Sequence, residues 1–94
     1  MFSYAFFDEF GMLGVCDLDV LEKHLSGETD VYISKEFYGK NECGEEEILK
    51  LIEKATNINC FGNKIVDLLI KNKIIDEKNV ILIDGVKHAQ IYKI

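Results

Sequence analysis

The side chains of this chain that could do chemistry include those of Cys16, Asp17, Asn59 and His88. Cys16 and Asp17 stand where a predicted strand gives way to a helix, and the free amides there would stabilise a thiolate or a bound anion. An imidazole such as that of His88 can donate, accept or move a proton near pH 7. We therefore expect either a cleft lined by these four groups or a structural use for each: a buried thiol, a helix cap and hydrogen-bonded strand residues.

The last stretch of the chain, "DGVKHAQIYKI", predicts how His88 is presented. Asp84-Gly85 is typical of a two-residue type I′ hairpin, and such a turn would pair Ile81 with His88. One face of this hairpin would then carry His88 and Gln90, and the other would carry two lysines. We expect the face with His88 and Gln90 on the core side, where each polar side chain needs a hydrogen-bond partner.

A second group of residues is suited to recognition. The segment of Phe37, Tyr38 and Gly39 is either a core anchor with a glycine turn or an aromatic recognition edge, because a tyrosine presents a ring with a polar tip. Asn59 and Gly62 predict a helix cap followed by a close helix approach, with an anion site at the helix start as the alternative. The candidate binding residues are therefore Cys16, Asp17, Phe37, Tyr38, Gly39, Asn59, Gly62, His88 and Gln90.

Known enzyme motifs give no support for a reaction. The chain carries no P-loop, no dinucleotide-binding glycine pattern and no serine- or metal-hydrolase motif. Its cysteines and histidines are not paired at the short spacing that zinc sites use. We expect no metal and no cofactor, and a binding protein is a better interpretation than an enzyme.

The first third of the chain predicts mostly strands. An N-terminal hairpin is expected over residues 2–7 and 12–16, with Gly-containing turn residues between them. Asp17 would cap a short helix over 18–25, where leucines recur at helical spacing. A short strand over 31–33 would follow.

The remainder predicts two longer helices and a closing hairpin. Residues 34–44 are expected to be irregular. The clearest helix covers 45–55, because glutamates occupy its first turn and apolar residues recur on one side. Asn59 would cap a second helix over 60–72. The closing strands are predicted at 80–84 and 86–93.

These elements predict an α+β fold, because strands lie at both ends of the chain and helices lie between them. The length of 94 residues favours a single domain over residues 1–94. We expect the two terminal hairpins to form one mixed or antiparallel sheet, with two to three helices packed on one face.

Composition limits the partners. The formal net charge is −6 and the chain has no arginine, with 5 lysines against 13 acids in residues 1–60. Nucleic-acid binding depends on neutralising phosphates, so free nucleic acid is an unlikely partner, whereas a basic protein surface is a suitable one. No apolar run approaches the ~20 residues of a membrane helix, and the odd number of cysteines fits reduced thiols. We expect a cytoplasmic protein with no membrane contact, and the oligomeric state stays open.

Four motifs occur in one order along the chain: "VCD", "FYG", "N-x-x-G" and "DGVKHAQ". In this order and spacing the chain resembles the archaeal domain-of-unknown-function family numbered 424. Three positions depart from the family pattern: Glu22 and Lys40 stand where the family usually has glycine, and Lys87 where it usually has proline. The matching positions are Cys16, Asp17, Phe37, Tyr38, Gly39, Asn59, Gly62, Gly85, His88, Ala89 and Gln90.

The resemblance implies an archaeal, cytoplasmic source and little chemistry, and we expect any macromolecular partner to belong to translation or RNA metabolism. Two hypotheses for the function remain open. The first is a small binding or adaptor domain that engages a protein or ribonucleoprotein through the Phe37–Gly39 segment and the C-terminal hairpin. The second is a small-ligand binder or enzyme with a cleft of Cys16, Asp17, Asn59 and His88.

Overall fold

The first two and the last two strands along the chain are each joined in a hairpin. A computed structural model of this protein describes residues 1–28 and 30–93. Gly11 turns the first hairpin with a φ of +62°, and Asp84 and Gly85 turn the last with φ values of +53° and +77°. The last hairpin pairs Ile81 with His88, which confirms the predicted type I′ register. Local turn chemistry therefore fixes both hairpins.

The described residues form eight strands and three helices, numbered along the chain. The strands are β1 (Phe2–Phe7), β2 (Met12–Asp17), β3 (His24–Leu25), β4 (Val31–Tyr32), β5 (Asn41–Cys43), β6 (Asn57–Phe61), β7 (Ile81–Ile83) and β8 (Val86–Tyr92). The helices are α1 (Lys35–Tyr38), α2 (Glu45–Lys54) and α3 (Asn63–Lys71). Six strands form a mixed sheet in the order β5-β1-β2-β6-β8-β7, in which β2 and β6 run parallel. This arrangement confirms the predicted α+β class and the helix expected from residue 45.

The sheet has two unequal faces. Helices α2 and α3 pack against the face that we call the helix face, and they form the main core there. The opposite face, the outer face, is covered only in part by α1 and the β3–β4 hairpin, which pack on a smaller apolar cluster. The fully or nearly fully buried residues of the main core include Leu13, Val15, Ile48, Ile52, Ile58, Cys60, Ile65, Val66, Leu69 and Ala89.

The helix predicted over 18–25 is wrong. Only a single 3-10 turn forms there, over Leu18–Val20, and the chain then enters β3. Glu22 has a φ of +66°, a left-handed conformation that ends any helix at this position. The N–H of Glu22 instead donates to the Ile33 carbonyl at 2.7 Å, so the segment is held by the neighbouring strand region.

The helix predicted over 60–72 begins later, at Asn63, and Asn59 does not cap it. Asn59 lies inside β6, between β2 and β8. The pattern over residues 57–61 alternates, with Ile58 and Cys60 buried on the helix face, so the period is that of a strand. The segment 34–44 is also more regular than predicted, because it contains α1 and β5.

The core side of the final hairpin is the opposite of the one predicted. Ala89 is buried against the helices, whereas Gln90 is exposed and His88 is half-buried on the outer face. The two lysines were misleading because long side chains bury their stems and keep their charged ends in polar surroundings. Lys87 pairs with Asp67 at 2.7 Å, and the Nζ of Lys93 donates to carbonyls at the end of α2, at 2.7 and 3.1 Å.

Candidate functional site

Asp17 and Gly62 form a cap for α3. The N–H groups of Lys64 and Ile65 each donate to a carboxylate oxygen of Asp17 at 2.9 Å. Gly62 precedes the helix with a φ of +132°, and a Cβ there would lie 2.3 Å from the Cγ of Asp17. Asp17 therefore supplies from another strand the capping oxygen that a glycine cannot provide. The anion site predicted at a helix start is filled by this carboxylate.

The carboxyl of Asp17 is buried, and its pKa is raised above the usual value because burial disfavours the charged form. The two N–H donors from α3 act in the opposite direction and offset part of this effect. These contacts give Asp17 a structural role, as the cap of α3. They differ from the predicted role of Asp17 at the helix over 18–25, where it makes no side-chain capping hydrogen bond.

Cys16 is fully buried and points to the outer face beneath α1. Its Sγ lies 3.9 Å from the carbonyl oxygen of Tyr38, and the hydroxyl of Ser3 donates to the same carbonyl at 2.7 Å. Burial, followed by the nearby charge of Asp17, raises the pKa of the Cys16 thiol to about 12. The thiolate that nucleophilic chemistry requires is therefore disfavoured at this position.

His88 is held by two neighbours. Its ring stacks on Phe61 with centroids 4.0 Å apart and planes inclined by 17°. Its Nδ1 lies 2.9 Å from the carbonyl oxygen of Cys60, and because a carbonyl only accepts, Nδ1 carries the proton in this contact. Burial lowers the pKa of His88, and the bond to Cys60 offsets this in part. The imidazole is thus neutral near pH 7.

The structure does not bring the four reactive candidates together. Asp17 faces the helices, whereas Cys16, Asn59 and His88 face outward. Phe61 stands between Cys16 and His88 in the row across the sheet, which places their strands roughly 10 Å apart at the usual strand spacing. Residues 1–28 and 30–93 contain no group of three His, Cys, Asp or Glu side chains positioned to hold a metal ion.

A different set of candidates does converge, on the outer face. Phe37, Tyr38 and Asn59 line a cavity of about 240 Å³. We call this cavity the aromatic groove. Phe37 is 49% exposed, and its ring lies 5.9 Å from that of Phe7. The other lining residues are Phe7, Met12, Leu13, Gly14, Tyr32 and Ser34.

The position of α1 creates this groove. A Cβ on Gly14 would lie 2.1 Å from the Phe37 carbonyl oxygen, so the helix rests directly on the backbone of β2. Ser34 begins α1 by accepting the Phe37 N–H at 3.3 Å. Tyr38 holds the other end, since its ring meets Phe61 edge-on at 5.5 Å. Phe37 is left as the exposed member of the "FYG" segment.

The three residues of the "FYG" segment have different roles in the structure. Tyr38 anchors α1, and burial raises the pKa of its hydroxyl to about 12. Gly39 lets the chain pass close to Leu21, whose methyl carbons would lie 2.8 and 2.9 Å from a Cβ. The two interpretations offered by the sequence therefore apply to different residues: Tyr38 and Gly39 are anchors, and Phe37 is available for recognition.

Amide side chains continue the groove across the sheet. Asn59 lies beside Gly14 on one side and beside Gln90 on the other, and Asn57 lies opposite Tyr92. We call Asn57, Asn59 and Gln90 the amide strip. Within the described residues the Oδ1 of Asn57 is buried and has no hydrogen-bond partner. Asn59, which lines the cavity, and the exposed Gln90 are the members of the strip whose amides are next to the aromatic groove.

The sequence reasoning missed Phe7, Tyr32 and Gly14 as residues of this site. A signal existed for Gly14, because a glycine inside a strand often marks the close approach of another backbone. Phe7 and Tyr32 gave no such signal. Their contribution depends on the packing of α1 and of strands β3 and β4 over the outer face, which is a tertiary feature.

Comparisons with known proteins bear on the fold and the family. A family model described as "Protein of unknown function (DUF424)" matches residues 6–94. The crystal structure of an uncharacterized conserved protein from Methanopyrus kandleri is similar, with a TM-score of 0.72 and 24% sequence identity. The similarity covers 86% of this chain and 79% of that one, and it shows the same fold. No curated protein matches the chain.

Among the described residues no helix is long and apolar enough to span a bilayer. The three cysteines, Cys16, Cys43 and Cys60, are all buried and free of disulfides.

Proposed function

The chain belongs to the DUF424 family, and on that premise we propose that it is a small binding domain whose protein partner docks on the aromatic groove. The observation that carries this proposal is the exposure of Phe37 beside an open cavity, next to the amide strip. Aromatic residues supply large contact areas at interfaces while losing little conformational freedom. The partner side chain in this groove would be apolar.

The size of the groove favours a side chain over a free small molecule. Its volume of about 240 Å³ is below the 300–1,000 Å³ that is typical of ligand pockets. One leucine, methionine or phenylalanine side chain would fill much of it. Burying such a side chain contributes roughly 1.5–3 kcal/mol, which is the scale of one interface anchor.

The amide strip would orient the partner. Asn59 lies at the edge of the groove, and Gln90 continues the row toward β8. Amide side chains both donate and accept hydrogen bonds, so they can pair with a partner's backbone in either direction. A partner that leaves these groups unpaired would lose affinity, which gives specificity as well as binding.

The charge distribution indicates the kind of protein surface. Residues 1–60 carry 13 acids against 5 lysines and include every residue that lines the groove, and one of these lysines, Lys40, has its Nζ 5.2 Å from the centroid of the Phe7 ring. Opposite charge on the partner would speed association at physiological ionic strength. We propose a basic protein partner, free or within a translation-related ribonucleoprotein, and a cytoplasmic setting in which the free thiols stay reduced.

The alternative of an enzyme or small-ligand binder with a Cys16, Asp17, Asn59 and His88 cleft has weaker support. Asp17 uses both oxygens to cap α3, and the pKa of Cys16 is raised to about 12. His88 is neutral and occupied at Nδ1. These groups are arranged to hold the sheet together.

Two matched variants test the proposal. Phe37→Ala removes the exposed ring of the groove, and Phe10→Ala removes a ring that is 69% exposed in the first hairpin and does not line the groove. The purified proteins would be titrated with N-acetyl-phenylalaninamide and followed by amide NMR. They would also be used for quantitative capture from archaeal lysate, with each captured protein then purified and its Kd measured.

We expect the aromatic amide to shift the amide signals of Gly14 and Asn59 in the wild type and in Phe10→Ala, and not in Phe37→Ala. A captured partner should bind Phe37→Ala at least about tenfold more weakly. Equal binding by all three proteins would overturn the proposal, and so would a partner surface mapped outside the aromatic groove.

A further inference from the structure

Strand β8 is only half covered along one edge. Its first residues pair with β7, whose register ends where Ile81 lies opposite His88. Beyond that point the chain before β7 forms a 3-10 turn over Glu77–Asn79 instead of continuing as a strand. Within the described residues, positions 89–92 of β8 therefore have β6 on one side and no strand on the other.

The hydrogen bonds to β6 fix which backbone groups face this free edge. The Gly62 N–H donates to the Lys87 carbonyl and the Lys93 N–H donates to the Thr56 carbonyl, both at 2.8 Å. Odd-numbered residues of β8 thus point their backbone groups to β6, because the pattern alternates in an antiparallel pair. Gln90 and Tyr92 point theirs to the free edge. No hydrogen bond from another described element reaches these groups.

An open groove runs along this edge, with a volume of about 720 Å³. We call it the edge groove. Its apolar floor comes from Ile70, Ile74 and Ile75, which are only partly buried. Asp76, Glu77 and Asn79 line the wall opposite β8, and Lys73 also lines the groove. Lys73 has a φ of +60°, a left-handed conformation that stops α3 from continuing into this segment.

We propose that the edge groove binds an extended segment of another protein, which adds to β8 as a further strand. The N–H and C=O groups of Gln90 and Tyr92 would form the new ladder, the mode known as β-augmentation. Side chains at alternate positions of the segment would rest on the isoleucine floor, so these are apolar. A lysine or arginine in the segment would meet Glu77, which lines the groove, whereas Asp76 already pairs with Lys78 at 4.0 Å.

This surface is separate from the aromatic groove, although the two meet at Gln90. The side chain of Gln90 belongs to the amide strip, whereas its backbone belongs to the free edge. A substitution can therefore address one without the other. Phe37→Ala alters only the aromatic groove, so failure of one proposal leaves the other standing.

Proline at position 90 is the sharpest test. Gln90→Pro removes an N–H that faces the free edge, and it leaves the ladder with β6 unchanged; edge strands tolerate proline in this orientation. Gln90→Ala is the matched control, because it removes the side chain and keeps the N–H. Short linear peptides displayed on phage, selected on the wild-type protein, serve as the probe.

We expect the selected peptides to alternate apolar residues and to include a basic residue. Their Kd should be similar for wild type and Gln90→Ala, and about tenfold to a hundredfold weaker for Gln90→Pro. Hydrogen exchange on the wild-type protein gives a readout that needs no variant: the amides of Gln90 and Tyr92 should become protected when peptide is added.

Three results would overturn the proposal. The first is a selection that enriches no peptide, or enriches peptides that bind wild type and Gln90→Pro equally. The second is bound peptide that leaves the Gln90 and Tyr92 amides exchanging as before. The third is a wild-type protein that self-associates in sedimentation while Gln90→Pro is monomeric, since a second copy would then occupy the edge.

Discussion

On the helix face, Asp17 and Gly62 fit so closely that a single added carbon would collide with the carboxylate. On the outer face, Phe37 and Asn59 border an open cavity, and the Phe37 ring is half exposed. All four residues belong to the motifs by which the chain resembles its family. The first pair is fully used by the fold, whereas the second pair borders a cavity. Motif membership therefore does not show how far a residue is occupied by the fold, and the packing of each residue does.

The largest effect that would test this contrast is expected at Gly62. Gly62→Ala places a residue in a backbone conformation, with φ of +132°, that is essentially restricted to glycine, and its Cβ would displace Asp17. We expect a loss of about 3–5 kcal/mol in the free energy of unfolding, measured by urea titration. The matched control is Gly44→Ala, where no atom lies within 4 Å of the added carbon. A small loss at Gly62 would show that the cap is not rigid.

Asp17→Ala should have the next largest effect. The substitution leaves two N–H groups of α3 without acceptors in a buried place, so we expect a loss of about 2–3 kcal/mol. Asp17→Asn keeps one acceptor oxygen and should lose less. The measurement is again urea unfolding, with hydrogen exchange at Lys64 and Ile65. If both variants unfolded like the wild type, Asp17 would be free for a functional role.

The pH dependence of stability tests whether His88 is structural. Its pKa in the folded protein is lowered from 6.5, so below pH 6.5 the unfolded chain takes up a proton that the folded one resists. Stability should therefore fall as pH drops from 7 toward 5. The variant His88→Phe keeps the stacking on Phe61 and should flatten this slope.

The control for this slope is His24→Phe, at an exposed position on β3. It removes the other histidine, whose ring stacks on Tyr32 and not on Phe61. A slope that survived in His88→Phe would have to arise elsewhere in the molecule.

Substitution of Glu22 by glycine should change the stability less than the variants above, and it should raise it. The φ of Glu22 is +66°, in the left-handed region that favours glycine. Glu22→Gly should stabilise the protein by about 0.5–1 kcal/mol, because glycine adopts this conformation without a steric cost. Glu22→Ala should give no such gain. Thermal melting of both variants would reveal a difference, and equal melting temperatures would argue against backbone strain in the segment that covers the outer face.

The smallest change in stability is expected at Phe37, and it completes the contrast with Gly62. Phe37→Ala should alter the free energy of unfolding by less than about 1 kcal/mol, because half of the ring is already in solvent. The same variant should lose partner binding. A large loss of stability would place Phe37 with Asp17 and Gly62 among the structural residues.

Local patterns predicted the parts of the fold that local chemistry controls. Asp84-Gly85 set the final hairpin and its register, and the glutamate-led apolar repeat set α2. The predictions failed where one pattern fits two structures. Asn59 precedes an apolar helical repeat and so resembles a cap, yet it lies in a strand that is buried between two neighbours. Lys87 and Lys93 predict a solvent face, yet they share a face with the buried Ala89, and their charged ends bind Asp67 and the last carbonyls of α2.

The sequence by itself determined the α+β class and the hairpin turns, and it singled out polar residues such as Asp17, Asn59 and His88. Only the tertiary structure decided which of those side chains bond to other parts of the fold and which border a cavity. Asp17 caps a helix that begins 46 positions later in the chain, and no local pattern reports a partner at that distance. Phe37 and Phe7 become neighbours only because Gly14 lets a helix rest on the sheet. Contacts between distant segments depend on close packing in three dimensions, which short-range periodicity does not record.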